Sequence, residues 1–334
     1  MNASHHTWRP AEGSASALIH ELSVVLYVAC ALILLLVLVL AVRAVFTPPQ
    51  KIEARRWLTL GGLVFPGVVL SALLAYSLAV GSALADFEGK GTLRFLLDCL
   101  SPNSRSLVAS SPAATGGALR IEVIAHQWWW EVRYFTDDSG DFELANELRI
   151  PAGRAVDIHL LTHDVIHSFW VPSLAGKVDM IPGRRTRMVL KANEPGEHYG
   201  VCAEYCGGQH ALMAFRVVVL GEREFAAWTA SESTDAAFPA DDSGRHGSRI
   251  FLDAGCGDCH TVRGTRATGD KGPDLTHVGS RRTLAAGTLD NHIGTMAAWA
   301  VNPQDLKPGS LMPANRTHSG ADMRVLAAWL ESLK

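Results

Sequence analysis

The chain has 334 residues, 48% apolar and 19% charged, with a mean hydropathy of +0.13 and a formal net charge of −3. That balance excludes an intrinsically disordered chain and a nucleic-acid binder, which needs a basic surface to neutralise phosphate. The length suits two or three domains, the hydropathy places part of the chain in lipid, and six cysteines are too few to staple a scaffold of this size.

Leu22 to Val42 is a run of 21 residues without a formal charge. At 1.5 Å per residue it crosses a hydrocarbon core of about 30 Å. It is longer than a signal-peptide core and lacks a basic stretch before it. A second uncharged run covers Trp57 to Ala85 and carries Gly61, Gly62, Pro66 and Gly67. Two membrane helices are expected, over about 18–42 and 57–85. The loop between them holds Arg43, Lys51, Arg55 and Arg56 against Glu53. The positive-inside rule makes that loop cytoplasmic, with both termini on the outer side. Cys30 is expected as a packed or lipid-facing thiol. Residues 86–117, rich in Ser, Pro and Gly, are expected as an external linker with one short helix near Thr92–Leu97. Cys99 lies there without an assigned role.

From Ala118 to Leu220 the pattern alternates at period two, in LRIEVIAHQWWWEVRYF, ELRIPAGRAVDIHLLT, RTRMVLKA and FRVVVL. Turn signals separate these runs, so residues 118–220 are expected to form an all-β sandwich or Greek-key barrel. As strand neighbours, Trp128 and Trp130 would share one face and Trp129 the other. The domain ends in GVCAEYCGGQHALMAF, spaced Cys202-x3-Cys206-x3-His210-x2-Met213, with His167 upstream in DVIHSFWVPS. Two thiols, two imidazoles and a thioether are soft and borderline donors that suit copper. Two thiolates can bridge two coppers, each capped by one histidine, with Met213 and a backbone carbonyl as weak donors. A structural Cys2His2 zinc and a Cys202–Cys206 disulfide remain open on spacing alone.

Residues 221–247 are small, polar and acidic and are expected as a second linker. SRIFLDAGCGDCHTVRGT then runs from a short amphipathic helix into Cys256-x-x-Cys259-His260, the c-type haem attachment signature. Cys256 and Cys259 would hold the porphyrin by thioether bonds, with His260 as the proximal iron ligand. Met312, in the Pro-flanked LKPGSLMPANR, is the expected second axial ligand, and Met/His ligation raises the potential. Met296 and Met323 lie in expected helices and suit core packing, while His277, His292 and His318 are the imidazole candidates. The final helix is expected from about Gly320. Residues 118–220 carry 10 basic and 13 acidic side chains, and residues 245–334 carry 11 and 8. Net charges of −3 and +3 favour docking of the two domains.

C-x-E-x-C-x-x-x-H-x-x-M, with HSFWVPSLAGKVDMIPGR and HQWWW upstream, resembles subunit II of the haem–copper cytochrome c oxidases. GPDLTHVGSR and KPGSLMP resemble small class I cytochromes c. The resemblance implies a two-helix transmembrane hairpin, a cupredoxin-like Greek-key barrel and a small all-α cytochrome c domain over 248–334. It implies a dinuclear copper centre, CuA, held by His167, Cys202, the Glu204 carbonyl, Cys206, His210 and Met213. The Glu204 carboxylate would help hold magnesium at the boundary with subunit I. Trp128 matches the aromatic residue through which electrons reach the copper. Trp129 departs from the family's usual Tyr, and Ala54 and Pro66 depart from its pattern at the second helix.

The implied role is electron transfer from a haem c through CuA to the haem of subunit I, where O2 is reduced to water with proton pumping. The implied partners are subunits I and III, a cytochrome c or cytochrome bc complex as donor, and the lipid of a bacterial plasma membrane, with both redox domains periplasmic. The copper subunit of a nitric oxide reductase and a stand-alone membrane-anchored carrier are the alternatives.

Overall fold

The architecture is that of a computed structural model, described over residues 12–46, 53–87, 119–136, 140–237, 239, 241–315 and 317–334. Cys99 and most of the expected 86–117 linker, including its short helix, lie outside these residues. The chain divides into two compact units, Ala15–Pro112 and a second that joins Met1–Ser14 to Ala113–Lys334.

The first unit is helical. Helix α1 spans Ser14–Phe46, and α2 (Ala54–Thr59) runs through a π-helical turn, Leu60–Val64, into α3 (Phe65–Phe87). Two segments, Ser14–Phe46 and Ala54–Leu84, are long and apolar enough to cross a membrane. The first extends beyond the expected 18–42 at both ends, while the second starts earlier than the expected 57 and ends at Leu84. Large apolar side chains such as Tyr27, Leu32, Leu63 and Leu70 stand exposed along them, as expected of helices whose surroundings are hydrocarbon. The wide turn has a local cause. Pro66 has no N–H and its ring crowds the carbonyl four residues back, and a π turn absorbs that clash without ending the helix. Tyr76 Oη donates to Glu21 Oε1 at 3.2 Å and ties the helices together. Cys30 is exposed on α1.

The second unit opens with two five-stranded sheets. One is ordered β3-β2-β1-β5-β8, the other β4-β10-β9-β6-β7. The strands are β1 (Arg120–His126), β2 (Trp129–Phe135), β3 (Phe142–Ala145), β4 (Glu147–Pro151), β5 (Val156–Thr162), β6 (His167–Trp170), β7 (Val178–Met180), β8 (Thr186–Leu190), β9 (Gly196–Cys202) and β10 (Ala214–Leu220). β1 and β5 pair in parallel, as do β10 and β4, and the remaining pairs are antiparallel. Alternate residues such as Ile121 and Val123, Ile158 and Leu160, Phe215 and Val217 fill the space between the sheets. At its centre Trp130 meets Phe169 edge-on at 5.9 Å and Phe215 at 5.1 Å. Gly200 makes room for this cluster, since a Cβ there would fall 2.1 Å from the Phe215 ring.

Trp128 is not a strand residue. Gln127 and Trp128 form the turn between β1 and β2, where His126 pairs with Trp129. The expected face shared with Trp130 therefore does not exist. Chain reversal frees Trp128 from the strand alternation, while Trp130 is buried and Trp129 lies on the other side.

The expected 221–247 linker is also largely helical. Helix α4 (Glu222–Glu232) lies against β4 and β10. Its Trp228 packs against Tyr134 and Phe142, and Arg149 lies 5.2 Å from the Trp228 ring. A few apolar side chains on one face thus dock a segment whose composition reads as solvated.

The haem-attachment region comprises α5 (Asp242–Asp253), α6 (Ile293–Val301), α7 (Pro303–Leu306) and α8 (Gly320–Ser332). A ribbon of two-residue strands, β11 (Thr283–Leu284) and β12 (Leu289–Asp290), adds to the all-α plan. Helices α5 and α8 cross at Gly247, where a Cβ would meet Trp329 Cβ at 2.4 Å. Ile250, Phe251, Met296, Met323, Leu326 and Trp329 form the core.

Candidate copper and haem sites

Each metal-binding candidate in the β domain stands where a strand ends. His167 opens β6, Cys202 closes β9, and the loop from Ala203 to Met213 returns the chain into β10. Phe169 pairs with Cys202 across β6 and β9, which brings His167 beside a cysteine 35 residues away. Cys202 Sγ lies 3.8 Å from His167 Nδ1, 3.7 Å from Cys206 Sγ and 3.1 Å from the Glu204 carbonyl oxygen. Cys206 Sγ lies 3.6 Å from His210 Nδ1 and 3.8 Å from Met213 Sδ. All six expected ligands therefore come together.

The donors test the three readings left open by spacing. The sulfurs are 3.7 Å apart, far beyond the roughly 2.05 Å of a disulfide, but within reach of a shared metal about 2.3 Å from each. His167, Cys202 and Cys206 offer donor atoms within 4.8 Å of one another. His210 joins through Cys206. The order His167–Cys202–Cys206–His210, with one imidazole outside each sulfur, suits a pair of soft metal ions bridged by thiolates. The Glu204 carbonyl lies against Cys202 and the Met213 thioether against Cys206, weak donors that could complete such a site.

Electrostatics favour a thiolate here. The hydrogen bond shared by the two sulfurs lowers the pKa of Cys202 and, together with burial, raises that of Cys206. Burial opposes a charge on His167, but hydrogen bonds to Cys202 and Asp164 outweigh it and raise its pKa. Asp164 is a site residue that the sequence reading missed. Its Oδ1 accepts from His167 Nε2 at 2.8 Å and from the Val165 N–H at 2.7 Å, and its Oδ2 accepts from the Gln127 N–H at 2.6 Å. Burial opposes its charge, yet these bonds hold its pKa below the ordinary value. The carboxylate keeps the proton on Nε2 and turns Nδ1 toward the sulfurs. Its signal was the acid three residues before the histidine in DVIH.

The Glu204 carboxylate is 44% exposed and lies 3.8 Å from Lys177 Nζ. Beside the loop, Val165, Ile166 and Tyr205 are exposed apolar side chains, Tyr205 at 76%.

In the haem-attachment region, Cys256 opens a single 3-10 turn, Cys256–Asp258, and Cys259 directly follows it. His260 Nδ1 hydrogen-bonds the Pro273 carbonyl at 2.7 Å, which leaves Nε2 for an iron. Burial keeps its ring neutral, lowering its pKa against that bond. Gly272 provides the clearance, since a Cβ there would stand 2.6 Å from the His260 ring. Met312 is half-buried in an irregular stretch between α7 and α8. Met296 and Met323 are core residues. His277 faces Glu232 at 3.6 Å, His292 caps α6, and His318 pairs with Asn315 and Thr317. These other candidates are occupied by packing or by hydrogen bonds.

Both regions belong to one compact unit, and Trp128 stands where they meet. Its Nε1 donates to the Cys206 carbonyl at 3.0 Å. Its own carbonyl accepts from Lys307 Nζ at 2.8 Å, and a Cβ on Gly309 would lie 3.8 Å from its ring. Further bonds cross the same boundary. Ala214 N–H donates to the Ala286 carbonyl at 3.0 Å, Arg149 Nη2 to the Ser280 carbonyl at 3.0 Å, and Arg282 N–H to Glu147 Oε2 at 2.8 Å. The Arg282–Glu197 ion pair at 3.0 Å adds the opposite-charge contact expected from the two net charges. Trp129 stacks on His126, ring centroids 4.4 Å apart, and lines a cavity of about 70 Å³ with Gly269 and Gly272.

A family model described as cytochrome c oxidase subunit II, periplasmic domain, matches residues 137–220, and one described as cytochrome c matches residues 245–334. Cytochrome c oxidase subunit 2 of Alkalihalophilus pseudofirmus is 39% identical over 223 residues, 67% of this chain and 64% of that protein. The Bacillus subtilis protein of the same name is 28% identical over 298 residues, 86% of this chain and 78% of that protein. The chain thus spans just under two thirds of the first of these relatives. The solved periplasmic domain of cytochrome oxidase subunit II from Bradyrhizobium japonicum is 32% identical, covering 36% of this chain and 95% of that one at a TM-score of 0.33.

Proposed function

The chain belongs to the cytochrome c oxidase subunit II family and joins that family's periplasmic domain to a cytochrome c domain; on this premise we propose that it is the electron-accepting subunit of a respiratory haem–copper oxidase. The two family matches imply copper and haem. His167, Cys202, the Glu204 carbonyl, Cys206, His210 and Met213 would hold the dinuclear copper. Cys256 and Cys259 would hold haem c, with His260 and Met312 as its axial ligands. Each group, when bound, takes up and releases one electron with little movement of its ligands.

The observation that carries the reading is the position of Trp128, hydrogen-bonded to the copper loop at Cys206 and to the haem-side loop at Lys307. The cytochrome c domain takes the electron from a cytochrome c or a cytochrome bc complex. Trp128 bridges the short path to the copper domain, and covalent connection keeps donor and acceptor at high effective concentration. Asp164 orients His167, and the buried Cys202, Cys206 and Met213 exclude water from the metal. The exposed Val165, Ile166 and Tyr205 offer an apolar face for subunit I, where O2 is reduced. At that boundary the Glu204 carboxylate is a hard oxygen donor suited to magnesium. The helices α1 to α3 anchor the chain in the plasma membrane, with both redox domains outside, beside subunits I and III.

The test is optical and metal analysis of the purified complex. Haem c, copper and an O2-consuming catalytic subunit together support the proposal. A catalytic subunit that consumes NO, or purification as a single polypeptide without a partner haem, refutes it.

A further inference from the structure

We propose that Lys307 is a positioning residue for electron transfer between the two redox domains, clamping the loop that leads to Met312 onto the main chain of Trp128. The inference rests on the function proposed above. Lys307 is 3% exposed, an unusual place for a lysine. Its Nζ donates to the Trp128 carbonyl at 2.8 Å and to the Ala285 carbonyl at 3.3 Å. The first acceptor belongs to the β domain and the second to the haem-attachment region. Trp128 in turn donates from Nε1 to the Cys206 carbonyl. Two successive hydrogen bonds therefore run from Lys307 to a copper-loop cysteine, and Met312 stands five residues further along the chain.

The second acceptor lies in a tight turn between β11 and β12. Ala285 and Ala286 have φ of +51° and +59°, followed by Gly287 at +78°. Left-handed alanines are unfavourable. The Thr288 hydroxyl (2.8 Å) and Lys307 Nζ (3.3 Å), both within the haem-attachment region, donate to the Ala285 carbonyl, and across the boundary the Ala214 N–H donates to the Ala286 carbonyl. Burying an ammonium is costly unless it is hydrogen-bonded, and burial lowers the Lys307 pKa to about 7. A plain filler would be apolar. A lysine adds several donors on one atom, and here two of them reach carbonyls of different domains.

The experiment uses the intact oxidase with Lys307→Met, which keeps the chain length and removes the donors. Haem c is reduced rapidly without O2, and its reoxidation by the copper centre is followed. The expected result is transfer slowed by up to about tenfold, from loss of the hydrogen bond across the boundary. The haem c spectrum should keep its methionine-ligated form, copper reduction by a small diffusible reductant should be unchanged, and Lys307→Arg should recover part of the rate. Lys307→Met transfer at the unsubstituted rate overturns the proposal. So does loss of methionine ligation, or equal slowing of reduction by the small reductant, because either makes Lys307 a support of one domain. If the unsubstituted oxidase lacks haem c or copper, the proposed function fails instead.

Discussion

Substituting Asp164 by Asn tests the copper site without touching a proposed ligand. Its carboxylate receives three donors, His167 Nε2 at 2.8 Å and the N–H groups of Val165 and Gln127 at 2.7 and 2.6 Å. An Asn amide has one acceptor oxygen and one donor nitrogen. Whichever way it turns, its NH2 faces either the main-chain N–H of Gln127 or the two donors on Oδ1. At least one bond is lost and the remaining ones lose their charge. A hydrogen bond to a charged group is worth about 1.5–3 kcal/mol. At 1.4 kcal/mol per factor of ten, this corresponds to roughly 10- to 100-fold weaker copper binding, the usual range for an outer partner of a metal-bound histidine. Because His167 is fully buried, with its Nδ1 3.8 Å from Cys202 Sγ, water is poorly placed to compensate. The assay is competition between the purified complex and a copper chelator, read from copper content and near-infrared absorption. Copper retention equal to that of the unsubstituted protein would refute the argument that Asp164 orients the ligand.

Two further predictions concern the haem-attachment region. Met312→Ala should leave the haem covalently attached, because Cys256 and Cys259 are untouched, while the midpoint potential falls by on the order of 0.1 V. Met296→Ala should instead cost about 2–5 kcal/mol of stability and leave the potential unchanged, since Met296 is a core residue; a redox titration separates the two. The second concerns pH. Burial raises the Glu232 pKa to about 7 and lowers that of His277 to about 4. The raised carboxylate gives stability that is present below pH 4.5 and lost as pH climbs through 7. The depressed imidazole gives stability that is present above 6.5 and lost as pH falls through 4. These slopes oppose one another between 4.5 and 6.5. Glu232→Gln should expose the histidine slope, so that the difference in stability from the unsubstituted protein grows with pH over that window. Parallel melting-temperature profiles of the two proteins would contradict the assigned shifts.

The haem-attachment motif and the copper loop were legible because each is local. CGDCH and C-x3-C-x3-H-x2-M place their donors within one turn or one loop, and the donor types alone narrow the chemistry. The helix pair was legible for a similar reason, because charge-free runs of that length have few other uses. Helix α4 was not, since its polar composition resembles a linker and only the docking of Phe225, Trp228 and Thr229 shows otherwise. The turn at Trp128 was hidden by alternation that continues on both sides of it.

The sequence by itself determined which residues carry donor chemistry suited to metals and haem, and the order of membrane, β and haem-attachment segments, because those depend on side-chain chemistry and short spacing. Only the tertiary structure decided that Asp164 turns His167 toward the sulfurs, and that Lys307 is buried against Trp128. It also decided that the haem-side loop rests on the copper loop. Each of these needs residues far apart in the chain to be brought within hydrogen-bond reach. The sheet register of β6 with β9 does so for His167 and Cys202, and the packing of two domains does so for Lys307 and Trp128.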